Sequence, residues 1–291
     1  MMNRTKTKIA VIAAIFVAAG FTSCGETLAE LEFNSSKTMV TGVANKDKNP
    51  TKAVIPEGVK VIKDDAFSRC GSLKSVTFPS SLEEIGKNAF SGCKLLTSVT
   101  IPSSVEEIGE KSFYECESLA SVTIGNGVKV IGSGAFLGCE ALTSVTIPES
   151  VEEIRGAAFD YCKSLTSVTI PNSVKKLSGF GSTPLTSITI PNSVKEIGES
   201  AFNACKSLES VEISEGVEKI GGMAFFNCDI LESVTIPASV KVIDKKAFEL
   251  CKRLKSVKFQ GTKAQWQAVS KREIGTFAVQ CTDGELPSKS W

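Results

Sequence analysis

The sequence predicts a repeat solenoid, a single right-handed parallel β-solenoid with short helical turns on its convex side. Three observations predict it. Cysteines fall at 70, 93, 116, 139 and 162, each 23 residues after the last, and again at 205, 228 and 251. Phenylalanines keep the same beat three residues earlier, at Phe67, Phe90, Phe113, Phe136, Phe159, Phe202, Phe225 and Phe248. Pro79, Pro102, Pro148, Pro171, Pro191 and Pro237 each follow an Ile or a Phe. Self-similarity at such a period means that one unit cannot bury its apolar face alone and stacks on its neighbours. The two domains that 291 residues suggest by length are thereby overruled.

One unit reads L-T-S-V-T-I-P-x-S-V-x-E-I-G-x-x-A-F-x-x-C-x-S. Leu96 enters the core, and Val99 and Ile101 alternate inward with Ser98 and Thr100 outward, the period of a short strand. Pro102 has no N–H to give and fixes φ, so it closes the strand and turns the chain. Val105 and Ile108 return along the opposite wall, Gly109 allows a tight bend, and residues 111–116 read as one turn of helix that buries Phe113 and Cys116. At roughly 4.8 Å per coil the stack predicts a rod about 50 Å long. Its ends need a covering other than a bare apolar face. Residues 24–51 are therefore read as tether and N-terminal cap, 52–259 as repeats, and 260–291 as C-terminal cap and tail.

With these residues in place, the unit resembles the BspA-like, treponemal-type leucine-rich repeat, whose 23-residue unit carries C-x-x-L-x-S-V-x-I-P followed by S-V-x-x-I-G-x-x-A-F. The resemblance covers residues 52–259. The strings K-F-Q-G-T-K-A-Q-W at 258–266 and V-Q-C-T-D-G at 279–284 are similar to the closing cap of many such proteins. The resemblance implies a leucine-rich-repeat solenoid that acts in adhesion, binding host matrix protein such as fibronectin or fibrinogen, or other bacterial cells. A structural spacer of the envelope is the alternative from another class.

The first residues read as an address. Arg4, Lys6 and Lys8 precede an apolar run at 9–21, and the layout is that of a signal peptide over residues 1–23. Thirteen residues of helix rise about 20 Å, too short for a hydrocarbon core of roughly 30 Å. The string F-T-S-C at 21–24 resembles a lipobox, which implies cleavage before Cys24 and a diacylglycerol anchor on it, with the protein held on the bacterial cell envelope at its outer surface. Gly25, where Asp would follow, is in keeping with that passage outward.

Composition narrows the chemistry. Lys and Arg number 33 against 32 Asp and Glu, and removal of the leader leaves 30 against 32, which is no footprint for nucleic acid. There is no histidine, so Ser-His-Asp and Cys-His nucleophiles, His-ligated zinc and imidazole acid–base steps are excluded. No enzyme and no cofactor beyond the lipid anchor are expected.

Four features remain as candidates. The eight cysteines Cys70, Cys93, Cys116, Cys139, Cys162, Cys205, Cys228 and Cys251 occupy one repeat position. Stacked equivalents about 4.8 Å apart with parallel Cβ vectors do not suit a disulfide, so a ladder of buried thiols is expected. Outward strand positions form two rows, Ser98, Ser121, Ser144 and Ser167 beside Thr100, Thr123, Thr146 and Thr169. Small hydroxyls and β-branched Thr suit a crowded parallel sheet, and the same lattice offers a concave binding surface for protein or glycan. Charges gather on the return segment, with Glu83, Glu84, Glu106, Glu107, Glu152 and Glu153 early and Lys175 and Lys176 later, a solvated face or a wall complementary to a partner. Finally, a short repeat near 174–185 spends 11 residues where 194–208 spends 14, read as a deletion tolerated on the convex side or as an interaction notch.

Overall fold

The computed structural model describes residues 26–291. The signal peptide and Cys24 lie outside the described residues. The rest is a parallel β-solenoid in which every coil contributes one strand to each of two walls, save one coil on one wall.

One wall, here the strand wall, carries the S-V-T-I segments. It forms a sheet of five strands, Lys52–Val54, Ser75–Thr77, Ser98–Ile101, Ser121–Ile124 and Ser144–Thr146, and a second of six that begins at Ser187–Ile190 and continues through Ser210–Ile213, Ser233–Ile236 and Ser256–Phe259. The opposite, return wall is one continuous sheet of twelve strands, most of them two residues long, such as Glu107–Ile108 and Val130–Ile131. Alternation decides what each strand buries: in Ser98–Ile101 the serine and threonine are exposed and Val99 and Ile101 are buried.

Between the walls the phenylalanines form a single stack. Rings of Phe67, Phe90, Phe113, Phe136, Phe159, Phe180, Phe202, Phe225 and Phe248 lie nearly parallel, with neighbouring centroids 4.7 to 5.7 Å apart. All are buried. Each contributes roughly 1.5–3 kcal/mol by leaving water, and the offset stacking adds to it.

The convex side departs from expectation. In place of a helical turn, the chain makes successive turns whose amides alternate between their own coil and the next. Ser112 N–H donates to Gly109 O (3.2 Å) and Cys116 N–H to Phe113 O (3.3 Å), while Phe113 N–H and Glu115 N–H donate forward to Ala135 O and Leu137 O, both at 2.8 Å. Lys111 and Glu115 adopt φ of 52° and 53°, and such left-handed residues twice per coil end any helix before it starts. Only a 3-10 turn, Lys46–Lys48, and an α-helix, Lys263–Ala268, occur among the described residues. Gly109 is required for a different reason than bending. Its φ is outside the left-handed region, but a Cβ there would collide with the Ile85 carbonyl of the preceding coil.

Both ends are closed. Leu31–Phe33 pairs antiparallel with Met39–Val43, which joins the return wall, and the buried Asn45 amide accepts from Glu30 N–H (2.8 Å) and donates to Leu28 O (2.9 Å). At the far end, helix Lys263–Ala268 starts at a reciprocal cap in which Thr262 Oγ1 accepts from Gln265 N–H and Gln265 Oε1 from Thr262 N–H. Residues expected as a loose tail instead form the closing strand, Gly284–Ser290, antiparallel to Thr276–Cys281. Trp291 then packs edge-on against the fully buried Trp266, centroids 5.7 Å apart.

Candidate interaction site

The strand wall brings most of the hydroxyl rows together. Ser98, Ser121 and Ser144 are partners in register, as are Thr100, Thr123 and Thr146, and all six face solvent. In the second sheet Ser187, Ser210 and Ser233 form one row, while the other keeps Thr189 and Thr235 but is interrupted by the charged Glu212 and Lys258.

Ser167 and Thr169 are not part of either sheet. Among the described residues, 166–170 make no backbone hydrogen bond to the coil on either side, so the strand wall ends at Ser144–Thr146 and restarts at Ser187–Ile190. The loss of cover is graded: Val99, Val122 and Val145 are 4%, 6% and 8% exposed, and Val168, next in line, is only partly buried. An open groove of about 610 Å³ lies there, between Ser167, Val168 and Thr169 on one side and Ser187, Ile188 and Thr189 on the other.

The short repeat causes the split. Phe180 keeps its place in the aromatic stack, 5.2 Å from Phe159 and 5.7 Å from Phe202. Thr183 takes the cysteine position, buried, with its hydroxyl donating to Phe180 O (2.7 Å) and 3.4 Å from Cys205 Sγ. With those two side chains anchored, the link from Phe180 to Leu185 is one residue shorter than from Phe202 to Leu208, and strand Ser187–Ile190 does not pair with 167–170. The deletion, expected to be absorbed on the convex side, is felt on the strand wall. On the convex side it leaves Asp160 over Gly181: the carboxylate accepts Gly181 N–H (2.7 Å), yet burial outweighs that bond and pushes its pKa up to about 6.

Charges that run acidic then basic along the chain are interleaved in space. Glu83 pairs with Lys60 (2.8 Å), Glu106 with Lys129 (3.1 Å) and Glu152 with Lys175 (2.5 Å), while Glu107 and Glu153 share Arg155 at 2.7 and 3.6 Å. The bond from Lys175 holds the Glu152 carboxyl below the usual range. Most of these pairs bridge successive coils or coils two apart, and all stand in solvent, where such pairs contribute about 0.2–1 kcal/mol. Glu84 and Lys176 have no ion-pair partner among the described residues.

The cysteine row is a hydrogen-bonded ladder. Cys93, Cys116, Cys139, Cys162, Cys205, Cys228 and Cys251 each donate S–H to the Phe carbonyl of the preceding coil, at 3.1 to 3.4 Å. The nine described cysteines are all unpaired, Cys70 included. Burial pushes Cys116 up to about 12 and Cys205 up to about 11, so the thiolate needed for exchange is scarce at neutral pH. Tyr161 is 53% exposed beside this ladder. Among the described residues, no group of three or more Cys, Asp or Glu could hold a metal ion.

Sequence reasoning located the short repeat but not the split in the strand wall. Its signal is the position of the missing residues, which lie between the return strand and the next S-V-T-I segment rather than evenly round the coil.

Comparison with known proteins agrees with this architecture. Among solved structures, the chain is similar to a leucine-rich repeat protein of Bacteroides ovatus, at 22% identity over 87% of this chain and 92% of that one, with a TM-score of 0.52. It is also similar to the pneumococcal vaccine antigen PcpA, at 23% identity over 81% of this chain and 68% of that one, with a TM-score of 0.54. Both likenesses are of fold. No curated protein sequence matches the chain. The family model described as BspA type leucine rich repeat region matches in six copies over residues 38–166 and 177–286, and the interval between the two stretches is the coil that lost its strand pairing. By that match over most of its length, the chain belongs to the BspA type leucine-rich repeat family.

Proposed function

We propose that this protein is an envelope-anchored protein-interaction module, a bacterial surface adhesin that binds host matrix protein or other cells and is tethered through lipid on Cys24. The observation that carries this reading is the pair of exposed walls, one of in-register hydroxyls and one of ion pairs, held rigid by the continuous aromatic stack. Repetition spreads a ligand-facing surface over many coils, which suits an extended macromolecular partner better than a small molecule. The absence of histidine from the whole sequence favours binding over catalysis. A glycan lattice is the second reading, favoured by the uninterrupted register of the Ser and Thr rows between 98 and 146.

Protease treatment of intact cells tests the reading, with Cys24→Ser as tethering control and a periplasmic protein as leakage control. Rapid digestion on intact cells, with loss of the variant into the medium, is the expected result. Full protection on intact cells sinks the adhesin.

A further inference from the structure

The outward face of the strand wall is built of small hydroxyls except at its head. Val54 is in register with Thr77 and so stands first in the threonine row. Leu28 is bridged in parallel to Lys52, which is in register with Ser75 and heads the serine row. Partners in a parallel ladder project to the same face, so Leu28 and Val54 emerge together from the outer side of the wall. They are 46% and 48% exposed. The other four large apolar side chains that stand in solvent, Leu95, Tyr161, Met223 and Leu250, are spread singly through later coils. Thr fills the position of Val54 in most later coils, so the packing of the wall does not call for an apolar residue there. Apolar cover is loose around the pair as well: Ala29, Leu31, Phe33, Val76 and Phe78 are only partly buried against the core.

A second observation is how little chain separates this patch from the residue read as carrying the lipid. Cys24 lies four residues before Leu28. Four residues span at most about 14 Å when fully extended, whereas the stack of coils runs roughly 50 Å. With a lipid on Cys24, the first coil is held within that reach of the bilayer surface and the far cap is not. Charge at this end is balanced locally, since Lys48 pairs with Glu30 (4.0 Å) and Lys52 with Glu26 (3.6 Å). The contact open to this end is therefore apolar.

We infer that the first coil is a membrane-seating surface, with Leu28 and Val54 dipping into the interfacial layer of the bilayer that holds the anchor. The rod then stands on its first coil instead of swinging on a free tether. Two half-exposed side chains are too small a patch to hold a protein on a membrane from solution. Tethering changes that, because it turns a weak contact into an intramolecular one at high effective concentration. The inference rests on the lipidation of Cys24 in the reading above. It adds an orientation: the head of the strand wall turns toward lipid, and the later coils are held out from the membrane at a fixed tilt.

The test uses the full chain with its lipid anchor, reconstituted into phosphatidylcholine vesicles whose acyl chains carry bromine, a contact quencher of indole emission. Leu28→Trp and Val54→Trp are surface changes that leave the melting temperature where it was. The emission that each adds should fall by roughly half in brominated relative to plain vesicles, since an interfacial side chain lies about 5–10 Å deep. Thr123→Trp, three coils further along the same wall, should keep its emission, as should the native Trp266 and Trp291 in the far cap. Adding Val54→Glu to Leu28→Trp should restore the lost emission. Full emission at both 28 and 54, or equal quenching at 123, overturns the inference. Dimerisation of the Cys24→Ser chain that Val54→Glu abolishes also overturns it, by giving the patch to a second copy. Failure of the underlying reading leaves a different mark: intact-mass measurement finds no lipid on Cys24, the chain does not float with the vesicles, and the inference falls with it. Failure of the inference alone leaves a lipidated, floating chain whose probes are unquenched.

Discussion

The two walls of this solenoid pass through the same coils and answer the same three-residue loss differently. On the return wall Glu153–Ile154, Lys176–Leu177 and Glu196–Ile197 stay paired in register straight across the short repeat. On the strand wall the same stretch separates two sheets. Sequence position explains the contrast. Two of the missing residues fall between Leu177 and Phe180 and one between Thr183 and Leu185, so both losses lie after the return strand and before the next strand-wall segment. Because Phe180 and Thr183 are pinned in the core, the shortened link pulls on Leu185 and the strand beyond it. A solenoid wall therefore tolerates a deletion placed behind it and not one placed just ahead of it.

Replacing core rings is the strongest way to probe this difference. Phe113→Ala, in the middle of the regular stack, should cost about 3–5 kcal/mol, read from calorimetric unfolding. Phe180→Ala should cost less, because its ring stands 5.7 Å from Phe202, the widest spacing in the parallel stack. Equal costs would mean that the short repeat packs as tightly as its neighbours.

Restoring the coil, by placing residues 198–207 where 178–184 stand, comes next. Re-forming the strand ladder at roughly 0.5–1.5 kcal/mol per bond should stabilise the rod by about 2–4 kcal/mol and protect the amides of 166–170 from exchange. Unchanged exchange there would show that the split has a cause other than length.

A smaller effect separates Asp160, over the short repeat, from the paired acids of the return wall. Its pKa is raised from the ordinary 3.8 to about 6, so between those values the unfolded chain releases the proton while the folded one keeps it. Its contribution to stability is full below about pH 4 and is lost as pH rises through about 6. Asp160→Asn should remove that slope and stabilise the protein at pH 8 by about 1–2 kcal/mol, measured by denaturant titration at several pH values. Glu152 works in the opposite sense: its lowered pKa makes its small contribution present above the unfolded value and lost in acid. Lys175→Gln should therefore change stability only slightly at neutral pH, and less in high salt.

Much of the fold was legible because one unit is written many times. The Cys, Phe and Pro spacings specified the coil, the alternation in S-V-T-I specified which face Val99 and Ile101 bury, and the family resemblance was carried by those same residues. The convex turns were not legible. An A-F-x-x-C spacing of three suits a helical turn as well as a pair of turns, and only the left-handed Lys111 and Glu115, neither of a type that advertises φ above zero, separates the two. Of the candidate surfaces, the hydroxyl rows at 98–146 and the cysteine ladder could be placed from periodicity. Ion pairing between coils could not, since it depends on which of two adjacent side chains, such as Glu106 and Glu107, leans up or down the rod. Ser167 and Thr169 looked like any other members of their rows because a local string does not record strain imported from a link downstream.

The cap at the C-terminal end has a consequence for anyone who follows this protein by its light emission. Both tryptophans of the chain, Trp266 and Trp291, sit there in edge-to-face contact, with the Lys271 ammonium 5.1 and 5.8 Å from their ring centres. In a stack whose units touch only their neighbours, the ends can open independently of the middle. Indole fluorescence will thus report the departure of one cap, whereas the two tyrosines, Tyr114 and Tyr161, lie in central coils and report the body of the rod. Unfolding curves recorded with the two fluorophores should separate wherever the rod frays from that end, giving a built-in measure of how far cooperativity extends along the coils.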